Sequence, residues 1–239
     1  MQAVDYTLAM DQSAPQFDSD ILDPPEAGSI YQAIRDDIVN GRLAPNERLV
    51  ISALANRYGT STNPIREALQ QLRGEGYVVF SYNRGARVRS LDEDFIRDIT
   101  EVQALIEPYL TGLFVELVTD ADIERLEAIQ GEIEALNFSD NLRHGALDTA
   151  FHRTLYDRHY NRLAFEQWWR NREIMGAISS RFPYSLSRRT AVLKEHRELI
   201  AALRAHDGPT ACEVMARHTR GSGLHIVEHM RAARHRSQN

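Results

Sequence analysis

Residues 54–72, LANRYGTSTNPIREALQQL, constrain this chain more than any other stretch. Apolar residues recur three or four apart on either side of Gly59, with Leu54 and Tyr58 before it and Ile65, Leu69 and Leu72 after it. That spacing predicts two short amphipathic helices. Gly59 suits the left-handed backbone at a helix end, Ser61 can cap the next helix, and Pro64 fits a first turn, where its missing N–H costs nothing. Two helices joined this way make a helix-turn-helix. The second is then the reading helix, and Ser61, Thr62, Asn63 and Arg66 at its N-terminal end are small or polar groups able to reach base edges or phosphates in a major groove. An ordinary helical hairpin shares this local pattern, so the residues that follow decide between the two.

Residues 77–89, YVVFSYNRGARVR, begin with β-branched and aromatic side chains, break at Asn83, Arg84 and Gly85, and resume with Val88. This predicts a hairpin with a basic tip, which turns the helix-turn-helix into a winged helix and makes Arg84 and Gly85 further DNA-contact candidates. The formal net charge of the 239 residues is −6, which by itself argues against a nucleic-acid partner. The charge is unevenly placed, however. Residues 1–27 carry six acids and no basic residue, whereas residues 28–90 carry nine arginines against five acids. The positive charge therefore coincides with the helix-turn-helix.

Residues 54–78, LANRYGTSTNPIREALQQLRGEGYV, with NRGARV after them, resemble the DNA-binding domain of the GntR family of bacterial transcription regulators, whose core reads close to LAxxxGVSRTPVREALxxLxxEGLV. The resemblance spans residues 29–89 and implies binding to double-stranded DNA at an inverted-repeat operator, as a homodimer. Thr62 stands where the family usually has Arg, and Ser52 stands near a position that is often basic in FadR-type members. Both departures bear on the operator sequence rather than on the mode of binding.

Upstream, a helix is expected over residues 29–40, with Ile30, Ile34 and Ile38 facing the helix-turn-helix, and Gly41 ending it. Asn46 stands where the family it resembles commonly has Gly, and Asn also tolerates a positive φ. Arg35, on the polar side of that helix, reads as either a phosphate contact or a solvated charge. Residues 1–27 lack helical periodicity, contain three prolines and show neither the basic start nor the apolar run of a signal peptide. No stretch is long and apolar enough to span a bilayer, so a soluble, cytoplasmic protein is expected. Cys212 is the single cysteine, which excludes an internal disulfide.

From Leu91 onward the periodicity is helical. One long helix or two should run from Phe95 to Leu117, with Pro108 a candidate kink. Thr119 and Asp122 suggest a capping box opening the next helix. Further helices are expected over residues 141–158, 162–180, 187–206 and 209–234. The expected class is mainly α, with an acidic extension over residues 1–27, a winged helix-turn-helix over 28–90 and an all-helical bundle over 91–239.

Three of those helices carry a histidine among core-type positions. Asp148 and His152 lie four apart beside Leu147, Phe151 and Leu155; His196 lies among Leu193, Leu199, Ile200 and Leu203; His218 follows Val214 and Met215. Singly, each is more easily a core histidine than a ligand. Together they offer three imidazoles and a carboxylate, a set suited to a divalent transition metal, zinc first, with nickel, iron or manganese as alternatives. Spacing cannot bring the helices together, but residues 91–239 resemble the FCD ligand-binding domain of FadR-type GntR regulators. Its metal-binding members carry Asp-x-x-x-His on one helix, His in an EHRxIxxAL segment and His late in the last helix, which implies Asp148, His152, His196 and His218 as ligands and a small carboxylate effector. In place of the family's EVRxxLE, where Arg helps hold that effector, the chain has EVQALIE with Gln103. An amide lacks the charge-assisted fork of a guanidinium, which leaves Arg153, Arg172 and Arg181 as candidates for the role.

His144, His225 and His229 read as surface residues, and Trp168 and Trp169 as helix–helix packing before pocket lining. The competing function is a metal-dependent hydrolase with a DNA-binding-like adaptor. A wing and a reading helix have no use in such an enzyme, and no general base is proposed beside the ligands. An architectural DNA binder, in turn, needs no polar cluster in its core.

Overall fold

The computed structural model describes residues 29–81, 85–179, 182 and 184–238. Among the described residues the chain forms α1 (Ile30–Val39), β1 (Arg48–Leu49), α2 (Ile51–Tyr58), α3 (Thr62–Glu75), β2 (Val78–Ser81), β3 (Gly85–Val88), α4 (Glu93–Leu117), α5 (Asp120–Leu136), α6 (Asn141–Tyr156), α7 (Arg162–Ser179), α8 (Leu186–Arg204) and α9 (Gly208–Gln238). The fold is mainly helical, with a winged helix-turn-helix followed by a helical bundle.

Local chemistry sets these boundaries. Ser29 accepts the Gln32 N–H at 3.1 Å to start α1. Gly59 ends α2 at φ 63°, and Gly76 ends α3 at φ 91°, both in the left-handed region where a Cβ would be strained. Asn46 takes a positive φ, 65°. Ser61 occupies the N-cap position of α3 but makes no side-chain capping bond, contrary to expectation. It is exposed, so water can satisfy the first N–H groups of α3 and the hydroxyl is left available. The three strands pair antiparallel in the order β1-β3-β2, with Arg87 opposite both Arg48 and Val79.

α4 runs unbroken through Pro108, so the one-helix reading holds. Asp92 caps it, accepting the Phe95 N–H at 3.0 Å, and Thr119 and Asp122 form the expected capping box on α5. α4 packs along α9 at close range: a Cβ added at Gly223 would lie 2.0 Å from Thr100 Oγ1. Two apolar cores result. One gathers Ile34, Ile38, Leu69 and Leu72 of the winged helix with Ile96 and Ile99 of α4, Ile174 and Ile178 of α7, and Ile226 of α9. The other lies within the bundle, around Phe114, Leu126, Phe151, Trp168 and Met215. No helix of the described residues is long and apolar enough to cross a membrane.

Candidate functional site

On the winged helix, Ile65, Ala68, Leu69 and Leu72 turn the buried face of α3 inward. That leaves Thr62, Asn63 and Arg66 exposed at its N-terminal end, beside exposed Ser61. Gly85 begins β3 at φ 72° and is exposed. Arg84, the wing-tip candidate, lies outside the described residues, as do residues 1–27. Arg35 stands apart from this surface. Its Nε donates to the Tyr77 hydroxyl at 3.4 Å, and its Nη2 lies 4.0 Å from Glu173 Oε2 on α7, so it faces the bundle.

In the bundle, α6, α8 and α9 do converge. One ligand atom from each of Asp148, His152, His196 and His218 lies within 4.8 Å of the other three, and all four residues are buried. The imidazoles are held from outside. His196 Nδ1–H donates to Gln130 Oε1 at 2.8 Å, His218 Nδ1–H to Glu195 Oε2 at 3.0 Å, and His152 Nδ1 lies 3.3 Å from Glu107 Oε2. A carboxylate or amide oxygen only accepts, so the His196 and His218 contacts place the proton on Nδ1 and the lone pair on Nε2. Both ring nitrogens of His152 and Nε2 of His196 are buried without a hydrogen-bond partner among the described residues, a costly arrangement unless something else engages them. Phe151 stacks on the His196 ring at 4.2 Å and fixes its plane.

The electrostatics agree with a ligand set. Burial, reinforced by the neighbouring His218, holds His196 well below the usual imidazole range. Burial lowers His218 as well, against the pull of Glu195. Burial alone would raise Asp148, but the charge of Arg172 beside it outweighs this and holds the carboxyl well below its ordinary value. A neutral His196 or His218 beside an ionised Asp148 is the form that binds a cation. The donor set of three nitrogens and one oxygen fits a divalent transition metal.

Beside the cluster opens a cavity of about 490 Å³, walled by Asp148, Arg153, Arg172, Trp169, His144 and Tyr184 among others. Arg172 is paired with Asp148 Oδ2 and with Thr149 Oγ1 at 3.2 Å. Arg153 is exposed, paired with Asp157 at 3.1 Å and laid over Trp169. Gln103 is not at the cavity: buried between α4 and α7, it donates to the Trp168 carbonyl and accepts from Asn171, each at 3.3 Å. Arg181 lies outside the described residues.

Two histidines correct the surface reading. His144 is 1% exposed and stacked on Phe138, because α6 already begins at Asn141 and its fourth residue points inward. His225 is buried against Tyr184, while His229 is half-buried. Trp168 is packing, fully buried against Tyr156 and Phe165, whereas Trp169 lines the cavity. The outer partners Glu107 and Gln130 are absent from the sequence reading, where Glu195 enters only as part of the EHR segment. Their signal was a polar residue on a core face: Gln130 lies between Leu126 and Ile133, and Glu107 one turn beyond Gln103.

A winged helix with an exposed reading face, joined to a helical bundle built around a buried polar cluster and a cavity, defines a DNA-binding transcription regulator. Residues 26–88 match the bacterial regulatory proteins of the gntR family and residues 98–221 match the FCD domain. The chain belongs to the GntR family and carries an FCD domain. It is similar to the HTH-type transcriptional repressor GlaR of Escherichia coli (strain K12), at 29% identity over 205 residues covering 79% of this chain and 90% of that one. The HTH-type transcriptional regulator LutR of Bacillus subtilis (strain 168) is 26% identical over 209 residues, covering 76% and 92%. Among solved structures, Lar, described as controlling expression of the Listeria monocytogenes agr system, superposes with a TM-score of 0.64 at 20% identity, covering 83% and 95%, which shows the shared fold. These relatives are transcription regulators, not enzymes, and the hydrolase alternative is set aside on that ground.

Proposed function

We propose that the chain is a FadR-type repressor that binds an inverted-repeat operator as a homodimer and is controlled by a small carboxylate effector at a divalent-metal site. The observation that carries this reading is the orientation of the three imidazoles. The Nδ1 atoms of His196 and His218 donate to acceptors on neighbouring segments and that of His152 lies 3.3 Å from Glu107, which leaves the Nε2 atoms for an ion, next to a cavity that holds Arg172. Asp148, His152, His196 and His218 would hold the ion, which supplies Lewis acidity and coordination positions for an effector carboxylate. Arg172 then orients the carboxylate by its guanidinium fork, with Arg153 nearer solvent.

The similarity to the transcriptional repressor GlaR supports repression. Homodimerisation is supported by Val102, Leu105 and Tyr109, an apolar row spaced along one side of α4 and exposed by 41%, 75% and 44%. A monomer reads one short half-site, so specificity calls for two. Selection of operators from random DNA, repeated with a panel of small carboxylates, tests the reading. It predicts a palindromic consensus and at least one acid that releases it. Non-palindromic sites that no acid affects would overturn it.

A further inference from the structure

Arg35 belongs to α1 of the winged helix, yet it lines the same cavity as Arg172. Its surroundings leave it underused. A guanidinium carries five N–H donors. Among the described residues this one makes a single hydrogen bond, at 3.4 Å to the Tyr77 hydroxyl, beside a cation–π contact with the Tyr77 ring at 5.7 Å, and no carboxylate lies nearer than 4.0 Å, although its side chain is only 19% exposed. Arg153, the other cation beyond Arg172 among the described residues of the cavity, is by contrast held by both oxygens of Asp157 at 3.1 Å.

Arg172 and Glu173 are successive residues of α7, turned roughly 100° apart around the helix. Arg172 reaches Asp148 while Glu173 faces Arg35, so the two guanidinium groups serve separate points of the cavity. Apolar Trp169, Met175 and Ile226 also line it. Two separated cations with apolar wall are the complement of an acid charged at both ends.

Building on the reading of this cavity as the effector site, we propose that the effector is a dicarboxylate, with one carboxylate toward Asp148 and Arg172 and the other bound by Arg35. The second carboxylate takes the place of the distant Glu173 as the partner of Arg35. The consequence reaches the reading helix directly. α1 packs on α3, and the Tyr31 hydroxyl of α1 donates to Glu75 at the end of α3 at 2.6 Å. α7 touches the winged helix at the same place, through Tyr77 on the Glu173 carbonyl and Ile174 beside Gly76. An effector that re-partners Arg35 therefore acts on the α1–α7 contact that sets the position of the winged helix.

Calorimetric titration of the full-length protein with succinate, glutarate and adipate, each beside the monoacid of the same length (butyrate, valerate, caproate), tests this without any variant. The best dicarboxylate should bind roughly 10- to 100-fold more tightly than its monoacid, the range for one charge-assisted hydrogen-bonding partner. Arg35→Met, which keeps the apolar stem, should abolish that advantage and leave monoacid binding unchanged. Arg35→Met should also leave the salt dependence of operator binding unchanged, whereas a phosphate contact would lower its slope. Equal binding of mono- and dicarboxylates, or an advantage lost in Arg153→Met but kept in Arg35→Met, overturns the assignment while sparing the effector site. Binding of none of these acids overturns both.

Discussion

Arg66 and Thr62 stand side by side on the exposed first turns of α3 and carry different expectations. Arg66→Ala should cost about 1–3 kcal/mol of operator affinity if the guanidinium meets a base edge, as read by titration on selected operators. Thr62 cannot make the bidentate guanine contact of the family's Arg, so Thr62→Arg should change the base preferred at that step. Identical consensus sites for the two proteins would place Thr62 outside the groove. Behind this surface, Asp37 accepts from Arg42, Arg57 and Tyr58 at 2.5, 2.6 and 2.7 Å. Burial pushes its carboxyl up, but the hydrogen bonds of Tyr58 and Arg42 and the charges of Arg57 and Arg42 outweigh this and hold it below the ordinary value. A depressed folded-state pKa adds stability that is complete above the unfolded Asp value of about 3.9 and is lost as pH falls through the folded one. Asp37→Ala should therefore cost about 1–3 kcal/mol near neutrality, with both arginines partly exposed. In urea unfolding across acid pH, the gap to the unaltered protein should close; a gap independent of pH would assign the loss to packing alone.

Among the elements, α4 and α9 meet where neither has room to spare. The Cβ of Gly223→Ala would lie 2.7 Å from Thr100 Cβ as well as against its Oγ1 and Cγ2, so one helix must move. That overpacking should destabilise by about 1–3 kcal/mol in thermal or urea unfolding, and Thr100→Ala should recover part of it. Unchanged stability in Gly223→Ala would show that the two helices yield freely. Helices such as these were largely legible in the sequence: residues 29–40, 141–158 and 162–180 were expected, and Ile30–Val39, Asn141–Tyr156 and Arg162–Ser179 are found. Apolar spacing and caps such as Ser29 and Thr119 are local signals, and a helix end follows from them. Spacing also put Asp148 and His152 on one face. It could not show which helix that face meets, nor that Glu107, Gln130 and Glu195 arrive from three elements to hold the imidazoles. Arg35 escaped for the same reason, since its polar position looks identical whether it faces solvent, DNA or α7.

At the scale of the whole molecule, one apolar core joins the winged helix to α4, α7 and α9, and one polar cluster joins α6, α8 and α9. A bound ion would tie those three helices together, and free metal at a hundredfold excess over its Kd would add about 2.7 kcal/mol to stability. Chelation should accordingly lower the melting temperature, and Gln130→Leu, which strips the acceptor from His196 Nδ1, should weaken metal binding roughly 10- to 100-fold. The cluster's purpose is the central claim, and the competing possibility is a polar core held by hydrogen bonds alone. Elemental analysis of protein purified without a histidine tag, alongside His196→Ala, tests it most directly. The account predicts one divalent transition metal per chain in the unaltered protein and a marked loss in the variant; no stoichiometric metal in the unaltered protein would contradict it.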